Sequence, residues 1–235
     1  MSIAGIFPID EWIFDSGSAL NALAEEDYNR LMINSSLHTY KKGEIIFREG
    51  TVPSGIFLVH AGKVKKYKTD HLGKQQIIYI AKAKELIGYH AVLSEERYPD
   101  SAAAIENCMI YFIPAVDFMF IIKKCPLFAL RLIKILSHDI KVLSNSISVL
   151  GQRTATERLA IALIVLREKY KEEDEDFKKI YLTISRSDLA YITGIAKENV
   201  VRILKDFKQE GLIETDGHKI KITDIKLLIK RANYR

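Results

Sequence analysis

The strongest local signal in this sequence runs from Ile184 to Leu204 and reads ISRSDLAYITGIAKENVVRIL. Ser185 is a favoured helix N-cap, and Asp188 three residues later completes a variant of the capping box. Gly194 stands where this first helix must give way to a turn, because glycine adopts a left-handed backbone without a steric penalty. A second amphipathic helix follows directly. The stretch therefore predicts two helices joined by a tight turn, a helix-turn-helix.

The second of these helices separates an apolar face from a charged face at helical spacing. Its inward positions are Val200, Ile203 and Leu204. Its outward positions are Lys197, Glu198, Arg202 and Lys205. Farther along, residues 211–213 and 219–222 flank Asp216-Gly217, and an Asp-Gly pair between alternating segments is a strong hairpin signal. We therefore expect a β-wing after the second helix, and a short helix over residues 223–231.

Positive charge is concentrated at the C-terminal end of the chain. The whole sequence has a net charge of +5. Residues 177–235 contain 13 Lys or Arg and 7 Asp or Glu, which is an excess of positive charge. The residues before this segment are close to neutral overall. A basic module of this kind suits a polyanionic partner, although a merely soluble basic surface would have the same charge.

The first half of the chain has a different periodicity. Residues 19–35 are helical in pattern, and short apolar runs follow at 44–47, 56–60, 64–67, 76–80, 102–105 and 109–113, with glycines between them. Several short strands separated by turn residues predict a small antiparallel barrel or jelly roll. The six histidines are isolated, and no Gly-x-Ser-x-Gly, phosphate-loop or zinc motif occurs, so neither a metal-dependent cupin enzyme nor another enzyme is expected.

A long helix is expected from Pro126 to about residue 150, because proline is favoured in the first helical turn. Its apolar residues recur at spacings of four and three, which is typical of a coiled-coil seam. They are Leu132, Leu136, Ile140, Leu143, Ile147 and Leu150. The alternative is a helix that packs only on its own domain. Another amphipathic helix is predicted over residues 154–170.

The order of roll, long helix and winged helix-turn-helix resembles the Crp/Fnr family of bacterial transcription regulators, over about residues 37–222. KKGEIIFREGTVPSGIFLVHAGKVKKY is similar to the opening of the family's sensor roll, with Gly43, Gly50 and Gly62 at turns. TGIAKENVVRILKDFKQEGLI is similar to its recognition helix. The resemblance implies an α+β fold: an N-terminal antiparallel β-roll of the cyclic-nucleotide-binding type, a long dimerisation helix and a C-terminal winged helix-turn-helix. Residues 1–151 would form the sensor domain with the helix, and residues 152–235 the DNA-binding domain.

The resemblance also implies a sequence-specific, homodimeric regulator that reads double-stranded DNA with the second helix. Glutamate can accept a hydrogen bond from cytosine, arginine can bind guanine with two, and an apolar side chain can touch a thymine methyl. The expected base-reading residues are Lys197, Glu198, Val201 and Arg202, and the expected phosphate contacts are Ser185, Ser187, Lys205 and Lys219. The alternative for Glu198 and Arg202 is an ordinary helix ion pair. The expected dimer seam is Leu136, Ile140, Leu143, Ile147 and Leu150.

The roll departs from the pattern of the cyclic-AMP-binding members, in which a Gly-Glu pair and a later Arg-Ser pair hold the nucleotide. Here the corresponding segment is ELIGYHAVLSEERYPDSAAA. Tyr89 replaces the Glu and Asp100 replaces the Arg, and a carboxylate at that place would repel a phosphate. The residues of this degenerate effector pocket are Gly88, Tyr89, Arg97, Asp100, Ser101 and, on the long helix, Ser144. Cyclic AMP is therefore not expected; another small molecule, or no ligand at all, are the alternatives.

Other cofactors have little support in the sequence. Residues 1–36 contain no cysteine for an iron–sulfur cluster, and His90 and Cys108 are more simply ordinary residues than haem ligands. No apolar run approaches the ~20 residues of a membrane span, and no basic signal-peptide region precedes the acidic N-terminus, so we expect a cytoplasmic protein. The acidic run at residues 172–176 stands where some family members touch RNA polymerase, but a solvated charge run is our preferred interpretation. A ligand-binding signalling module whose C-terminal domain binds a protein instead of DNA remains the alternative function.

Overall fold

The computed structural model of the protein describes residues 3, 5–171 and 180–234. By its internal packing the chain forms two compact units, one of Phe14–Ile140 and one of Met1–Ile13 with Lys141–Arg235. The long helix that we assigned to the first domain is therefore divided between the two units. The division at residues 151 and 152 stays a prediction about domains and differs from this division by packing.

The unit of Phe14–Ile140 contains the β-roll. Its helices are a 3-10 helix at Ser16–Ala22, α1 (Glu25–Met32), α2 (Tyr89–Ser94), α3 (Ala115–Lys124) and the first part of α4 (Pro126–Gln152). Its strands are β1 (Ser36–Tyr40), β2 (Ile45–Phe47), β3 (Gly55–Ala61), β4 (Val64–Thr69), β5 (Gln75–Ala81), β6 (Leu86–Ile87), β7 (Ser101–Ala104) and β8 (Cys108–Pro114). Two antiparallel four-stranded sheets result, in the orders β1-β8-β3-β6 and β2-β7-β4-β5. The expected jelly-roll architecture is confirmed.

The strand β3 explains why this part of the sequence contains continuous apolar runs. Ile56 and Leu58 face a core that also includes Phe118, Phe128 and Leu132 from α3 and α4. Phe57 and Val59 point the other way, into the space between the two sheets. Because successive side chains of a strand alternate between its faces, a strand covered on both faces needs apolar residues at every position.

In this unit, one predicted helix is in fact two separate helices. The pattern at residues 19–35 predicted one helix, but the backbone is extended at Leu23 (ψ 134°) and Ala24 (ψ 158°). This extension separates the 3-10 helix at Ser16–Ala22 from α1. The strands β1 and β6 and the helices α2 and α3 were not predicted as separate elements.

The second unit contains the winged helix-turn-helix. Its elements are a 3-10 helix at Ile9–Glu11, the rest of α4, α5 (Ala155–Tyr170), β9 (Leu182–Thr183), α6 (Arg186–Thr193), α7 (Lys197–Gln209), β10 (Ile213–Asp216), β11 (Lys219–Ile222) and α8 (Ile225–Ala232). The three strands form one antiparallel sheet, β10-β11-β9. The predicted wing and final helix are both present. The β10–β11 turn is centred on Gly217 and His218, one residue later than the Asp-Gly pair indicated.

Caps in the sequence fix the starts of α5 and α8. Thr154 accepts a hydrogen bond from the backbone of Glu157, whose carboxylate accepts one in return from the backbone of Thr154, so α5 begins with a complete capping box. Asp224 accepts from the backbone N–H of Leu227 and caps α8. Among the described helices, none is long and apolar enough to be a membrane span.

Candidate functional site

The predicted N-cap and turn of the helix-turn-helix are both formed. Ser185 Oγ accepts from the backbone N–H of Asp188 at 2.9 Å and donates to Asp188 Oδ2 at 2.6 Å. Gly194 ends α6 with a φ of +64°, which is the left-handed conformation that required glycine. Leu189 and Ala190 are buried on α6, which packs against both α5 and α7. The local sequence thus sets the angle at which α7 leaves the turn.

The helix α7 presents all four predicted base-reading residues on one exposed face. Val200, Ile203, Leu204 and Phe207 are buried and hold α7 against its unit. Five residues on one side of α7 are exposed, namely Lys197, Glu198, Val201, Arg202 and Lys205, and their neighbour Asn199 is exposed as well. Residues at these spacings share one side of a helix. An apolar Val201 that stays exposed among charged neighbours is the composition expected of a surface that reads base edges.

The exposed ends of Glu198 and Arg202 are not tied to each other. Arg202 Nη2 contacts Asn199 Oδ1 at 3.4 Å, which is a long hydrogen bond. Within the described parts of the chain, no ion pair joins Glu198 to Arg202, although they are one helical turn apart. The helix ion pair that was the alternative to base reading is therefore not formed, and both groups are open to an external partner.

The residues predicted to hold phosphates surround this face unevenly. Lys205 and Lys219 are exposed, with Lys219 Nζ 6.0 Å from the ring centre of Tyr181, and Ser187 is half-buried. Ser185 is used differently from the prediction, because its single hydroxyl proton is already donated to Asp188. Its role is to cap α6.

Arg186 is a residue of this surface that the sequence analysis missed. It follows the N-cap, and its Nη2 donates to the carbonyl of Gly217 in the wing turn at 3.0 Å. Its Nη1 has no hydrogen-bond partner among the described residues. The guanidinium thus joins α6 to the wing, and the unpaired Nη1 is itself buried. Its position at the first residue of a helix, where N–H groups also point outward, could have indicated it.

In the roll, Tyr89 does more than replace a glutamate. Its side chain is 1% exposed, and its hydroxyl donates to Asp139 Oδ2 on α4 at 3.1 Å. Burial, together with the nearby Asp139 carboxylate, raises the pKa of Tyr89 far above its usual value, so the phenol keeps its proton. Gly88 precedes it with a φ of +80°. The tyrosine therefore connects α2 directly to the long helix.

Asp100 is neutralised inside the roll by a residue that sequence reasoning missed. Its Oδ2 lies 2.9 Å from Lys66 Nζ, and both side chains are buried. Burial raises the pKa of Asp100, and Lys66 opposes that shift. A register shift in the pairing of β4 with β5 occurs between Lys66 and Tyr67, so two consecutive residues are buried where alternation would expose one. Lys66 Nζ also lies 5.2 Å from the ring centre of Tyr79.

The remaining residues predicted for the pocket are Arg97, Ser101 and Ser144. Ser101 Oγ accepts from the backbone N–H of Glu49 at 2.9 Å. Arg97 is exposed, and its Nη1 donates to the carbonyl of Gly50 at 2.8 Å, so it does not turn into the roll to replace the missing arginine. Ser144 is exposed and belongs to the other unit.

His90 lies beside the Tyr89–Asp139 hydrogen bond. Its ring stacks on Tyr89 with centres 4.1 Å apart, and its Nε2 is 3.7 Å from Asp139 Oδ2. Burial, with Lys66 nearby, lowers the pKa of His90 to about 3, so the imidazole is neutral near pH 7. Across the described residues, no cluster of three or more His, Cys, Asp or Glu side chains is arranged to hold a metal ion.

The long helix α4 carries an exposed apolar stripe. Ile140 is 67% exposed and Ile147 is 70% exposed, while Leu143 and Leu150 are also exposed and Leu136 is half-buried. The stripe begins at Ile133, which is exposed, and not at Leu132, which is 2% exposed and packs in the core of the roll. Leu132 was therefore assigned to the wrong face, because the two faces adjoin on this helix.

Corrected in this way, the stripe has strict heptad spacing. Isoleucine occupies one position of the repeat, at Ile133, Ile140 and Ile147. Leucine occupies the other, at Leu136, Leu143 and Leu150. Isoleucine at position a with leucine at position d is the combination that favours parallel two-stranded coiled coils. The exposed stripe therefore has the composition of an interface with a second, parallel helix.

A β-roll, a long helix and a winged helix-turn-helix with an exposed, charged second helix define a DNA-binding transcription regulator. Family models agree: the cyclic nucleotide-binding domain matches residues 37–125, and the Crp-like helix-turn-helix domain matches residues 157–231. The chain belongs to the Crp/Fnr family of transcription regulators.

Two curated relatives and one solved structure illustrate this membership. The transcriptional activator protein FnrA of Stutzerimonas stutzeri is 30% identical over 184 residues, 78% of this chain and 75% of the relative. The transcriptional activator protein anr of Pseudomonas aeruginosa is 29% identical over the same shares of the two chains. The structure of FixK2 from Bradyrhizobium japonicum superposes with a TM-score of 0.73 at 20% identity, over 83% of this chain and 96% of that one. The structural likeness supports the fold.

Proposed function

We propose that this regulator acts as a homodimer on a pseudo-palindromic DNA site. Two copies of α7 would enter successive major grooves about 34 Å apart, as in other helix-turn-helix dimers. The single observation that carries this proposal is the exposed face of α7, on which Glu198, Val201 and Arg202 have no partner among the described residues that would keep them from DNA. The function is binding, and it requires no catalytic step.

Each residue of that face has a distinct chemical part. Arg202 donates two hydrogen bonds to guanine O6 and N7, and Glu198 accepts from the N4 amine of cytosine. Val201 packs on a thymine methyl. Lys197 contributes a less directional charge, to guanine or to a phosphate. Ser187, Lys205 and Lys219 contact phosphates.

The dimer would be held by the stripe on α4, from Ile133 to Leu150. Burial of these side chains between two copies removes from water an apolar surface that the single chain leaves exposed. The alternation of isoleucine and leucine supports a parallel pair of helices. A parallel pair also places both copies of α7 at the same end of the molecule, as a two-fold site requires.

The test is a selection of bound duplexes from a random DNA pool with the purified full-length protein. We expect an enriched two-fold motif and a complex of two chains per duplex by light scattering. If no DNA motif is enriched, and if the remaining binding to DNA does not weaken as salt rises, the alternative of a C-terminal domain that binds a protein is favoured. Repeating the selection with a metabolite extract would reveal an effector through a changed yield at equal protein concentration.

Cyclic AMP is not the effector in our proposal. The phosphate position holds Asp100, which Lys66 already neutralises, and Tyr89 occupies the place of the ribose-binding glutamate. A phosphate there would have to break a buried ion pair, which is costly. Titration calorimetry with millimolar cyclic AMP should show no saturable heat, and the melting temperature should not change. A saturable isotherm would contradict the proposal.

The place of action follows from the same partner. We infer that the chain works in the cytoplasm, where DNA is accessible and where thiols such as Cys108 and Cys125, which are not joined in a disulfide, stay reduced. The acidic run at residues 172–176, which the family resemblance connects with RNA polymerase, lies outside the described residues. Neither an iron–sulfur cluster nor haem forms part of the proposed mechanism.

A further inference from the structure

The N-terminal segment, up to Ile13, belongs to the same compact unit as the DNA-binding elements, although it precedes the roll in sequence. Phe7 and Trp12 are buried against Tyr234 at the other end of the chain. The ring centres of Phe7 and Tyr234 are 5.6 Å apart, and those of Trp12 and Tyr234 are 5.0 Å apart, edge to face. We call these three residues, Phe7, Trp12 and Tyr234, the aromatic clasp.

On one side the clasp is attached to the part of α4 that bears the apolar stripe. Asn145 Nδ2 donates to the carbonyl of Glu11 at 3.1 Å, and Lys141 Nζ lies 3.0 Å from Glu11 Oε1. Residues 141 and 145 are one helical turn apart, so the segment lies along one side of α4. Leu143 and Ile147, of the proposed dimer seam, are exposed on the opposite side of α4, because residues two and six positions after Lys141 lie about half a turn around the helix from it.

On its other side the clasp is attached to α5 and α8. The guanidinium of Arg153 lies 5.8 Å from the ring centre of Tyr234, and its Nη1 donates to the carbonyl of Asn233 at 2.9 Å. Asn233 Nδ2 in turn donates to Glu157 Oε1 at 2.8 Å, at the start of α5. These contacts surround the junction at Arg153 and Thr154, which is the covalent link between α4 and α5.

The same connection continues to the end of the recognition helix. Arg231 on α8 forms an ion pair with Glu210, the residue that follows α7, with Nη2 2.7 Å from Oε2 and Nε donating at 2.9 Å. Two routes therefore run from the stripe of α4 to α7. One is the covalent junction between α4 and α5, and the other passes through Glu11, the aromatic clasp, α8 and Glu210.

We propose that the aromatic clasp determines which spacing of half-sites the regulator accepts, because it fixes α7 relative to the dimer seam. This inference rests on the proposed function. In a two-fold dimer, any movement of α7 relative to the seam occurs in both copies. The distance between the two recognition helices therefore changes by up to twice that movement. One base-pair step is about 3.4 Å. A flexible junction alone would therefore allow the dimer to bind half-sites one base pair closer together or farther apart. A second attachment makes binding to those spacings unfavourable.

The experiment compares Phe7→Ala with Ile6→Ala, a matched control in the same segment whose side chain is 45% exposed. Each full-length protein is titrated with the selected duplex and with duplexes whose central spacer is one base pair longer or shorter. We expect the wild type and Ile6→Ala to prefer the selected spacing by roughly tenfold or more, the size of one lost base-pair contact. Phe7→Ala should bind the three duplexes within about threefold of one another, with the same mass as a dimer and the same preferred half-site sequence.

Trp12 supplies an independent readout, because it is the only tryptophan in the sequence. Its emission should shift to the red in Phe7→Ala and stay unchanged in Ile6→Ala, since opening the clasp exposes the indole. Asn145→Ala keeps the aromatic residues and removes only the hydrogen bond to Glu11, so it should relax the spacing preference in the same direction if Phe7→Ala fails to fold.

The outcomes separate the clasp from the proposed function. If the wild type selects no two-fold DNA site, the proposed function fails and the inference fails with it. If the wild type prefers one spacing and the loosened variants keep that preference while Trp12 becomes exposed, the clasp is a packing contact only and the inference alone is wrong.

Discussion

Arg202 offers the most selective contact on α7, because guanidinium and the edge of guanine match in two hydrogen bonds. We predict that Arg202→Ala weakens the binding free energy for the selected site by about 1–3 kcal/mol. The variant should also lose the preference for one base at the contacted base pair. Lys208→Ala is the control, since Lys208 is exposed on the last turn of the same helix and its removal also costs one positive charge. Fluorescence anisotropy with the selected duplex and with duplexes mutated at single base pairs measures the affinity and the base preference of both variants. Equal losses in the two variants would mean that Arg202 acts only through its charge.

His90 gives the roll a dependence on pH. Because burial lowers its pKa to about 3, the folded roll excludes a proton that the unfolded chain takes up near its ordinary pKa of 6.5. The contribution of neutral His90 to the free energy of unfolding is fully present above pH 6.5 and is lost as the pH falls toward 3. We expect the urea midpoint of the wild type to fall more between pH 6.5 and pH 5 than that of His90→Gln. His71→Gln controls for the loss of an exposed imidazole, and parallel curves for wild type and His90→Gln would refute the assignment.

Individual side chains were predictable where helical geometry alone decides their direction. Glu198, Val201 and Arg202 share a face of α7 for that reason, and the structure leaves all three exposed. Lys66 was not predictable, because only the register shift in β4 makes it a buried partner of Asp100. A shift of one residue reverses which side chains of a strand face the interior, and the local sequence VKKYK does not reveal it.

Among the elements, the helix α4 shows both the strength and the limit of periodicity. Its start at Pro126 and its apolar stripe follow from the sequence. However, the helix has two adjoining apolar faces, one in the core with Phe128 and Leu132 and one exposed with Ile133 and Ile140. Periodicity shows that both faces are apolar, but it does not show which of them the chain's own fold covers. Leu132 was misassigned for this reason.

A charge in the exposed stripe of α4 should prevent dimerisation. We predict that Leu143→Lys raises the dimer dissociation constant at least a hundredfold, since an unpaired charge buried in an apolar seam costs roughly 3 kcal/mol or more. Ser148→Lys is the matched control, because Ser148 is exposed on the same helix but outside the heptad positions of the seam. Light scattering after size-exclusion chromatography gives the masses. A dimeric Leu143→Lys protein would place the seam elsewhere.

For the whole molecule, the concentration of positive charge in residues 177–235 has a measurable consequence. If each regulator dimer neutralises six to ten phosphates, its DNA affinity should fall by about 10³–10⁵ between 50 and 200 mM salt, as is usual for such contacts. Lys219→Ala should reduce the slope of log affinity against log salt by about 1 for each contact removed, without a change in sequence preference. An unchanged slope would remove Lys219 from the phosphate-binding set.

The order of roll, helix and winged helix-turn-helix could be predicted because each part has its own local pattern. The packing of Trp12 against Tyr234 could not, because these residues lie at opposite ends of the chain and no spacing relates them. The same is true of the hydrogen bond from Tyr89 to Asp139, which joins residues 50 positions apart. Contacts of this kind depend on the complete fold, and they are the contacts that join one element to the next.

On the proposed dimer, the exposed isoleucines of α4 would also make the regulator sensitive to its own abundance. A chain that covers Ile140 and Ile147 only by meeting a second copy gains stability by mass action. On the proposed dimer, each tenfold rise in total concentration adds about 1.4 kcal/mol of free energy per mole of dimer. A cell that doubles or halves the synthesis of this protein therefore changes the fraction of assembled molecules as well as their number, and the steepness of the gene response is set partly by expression level.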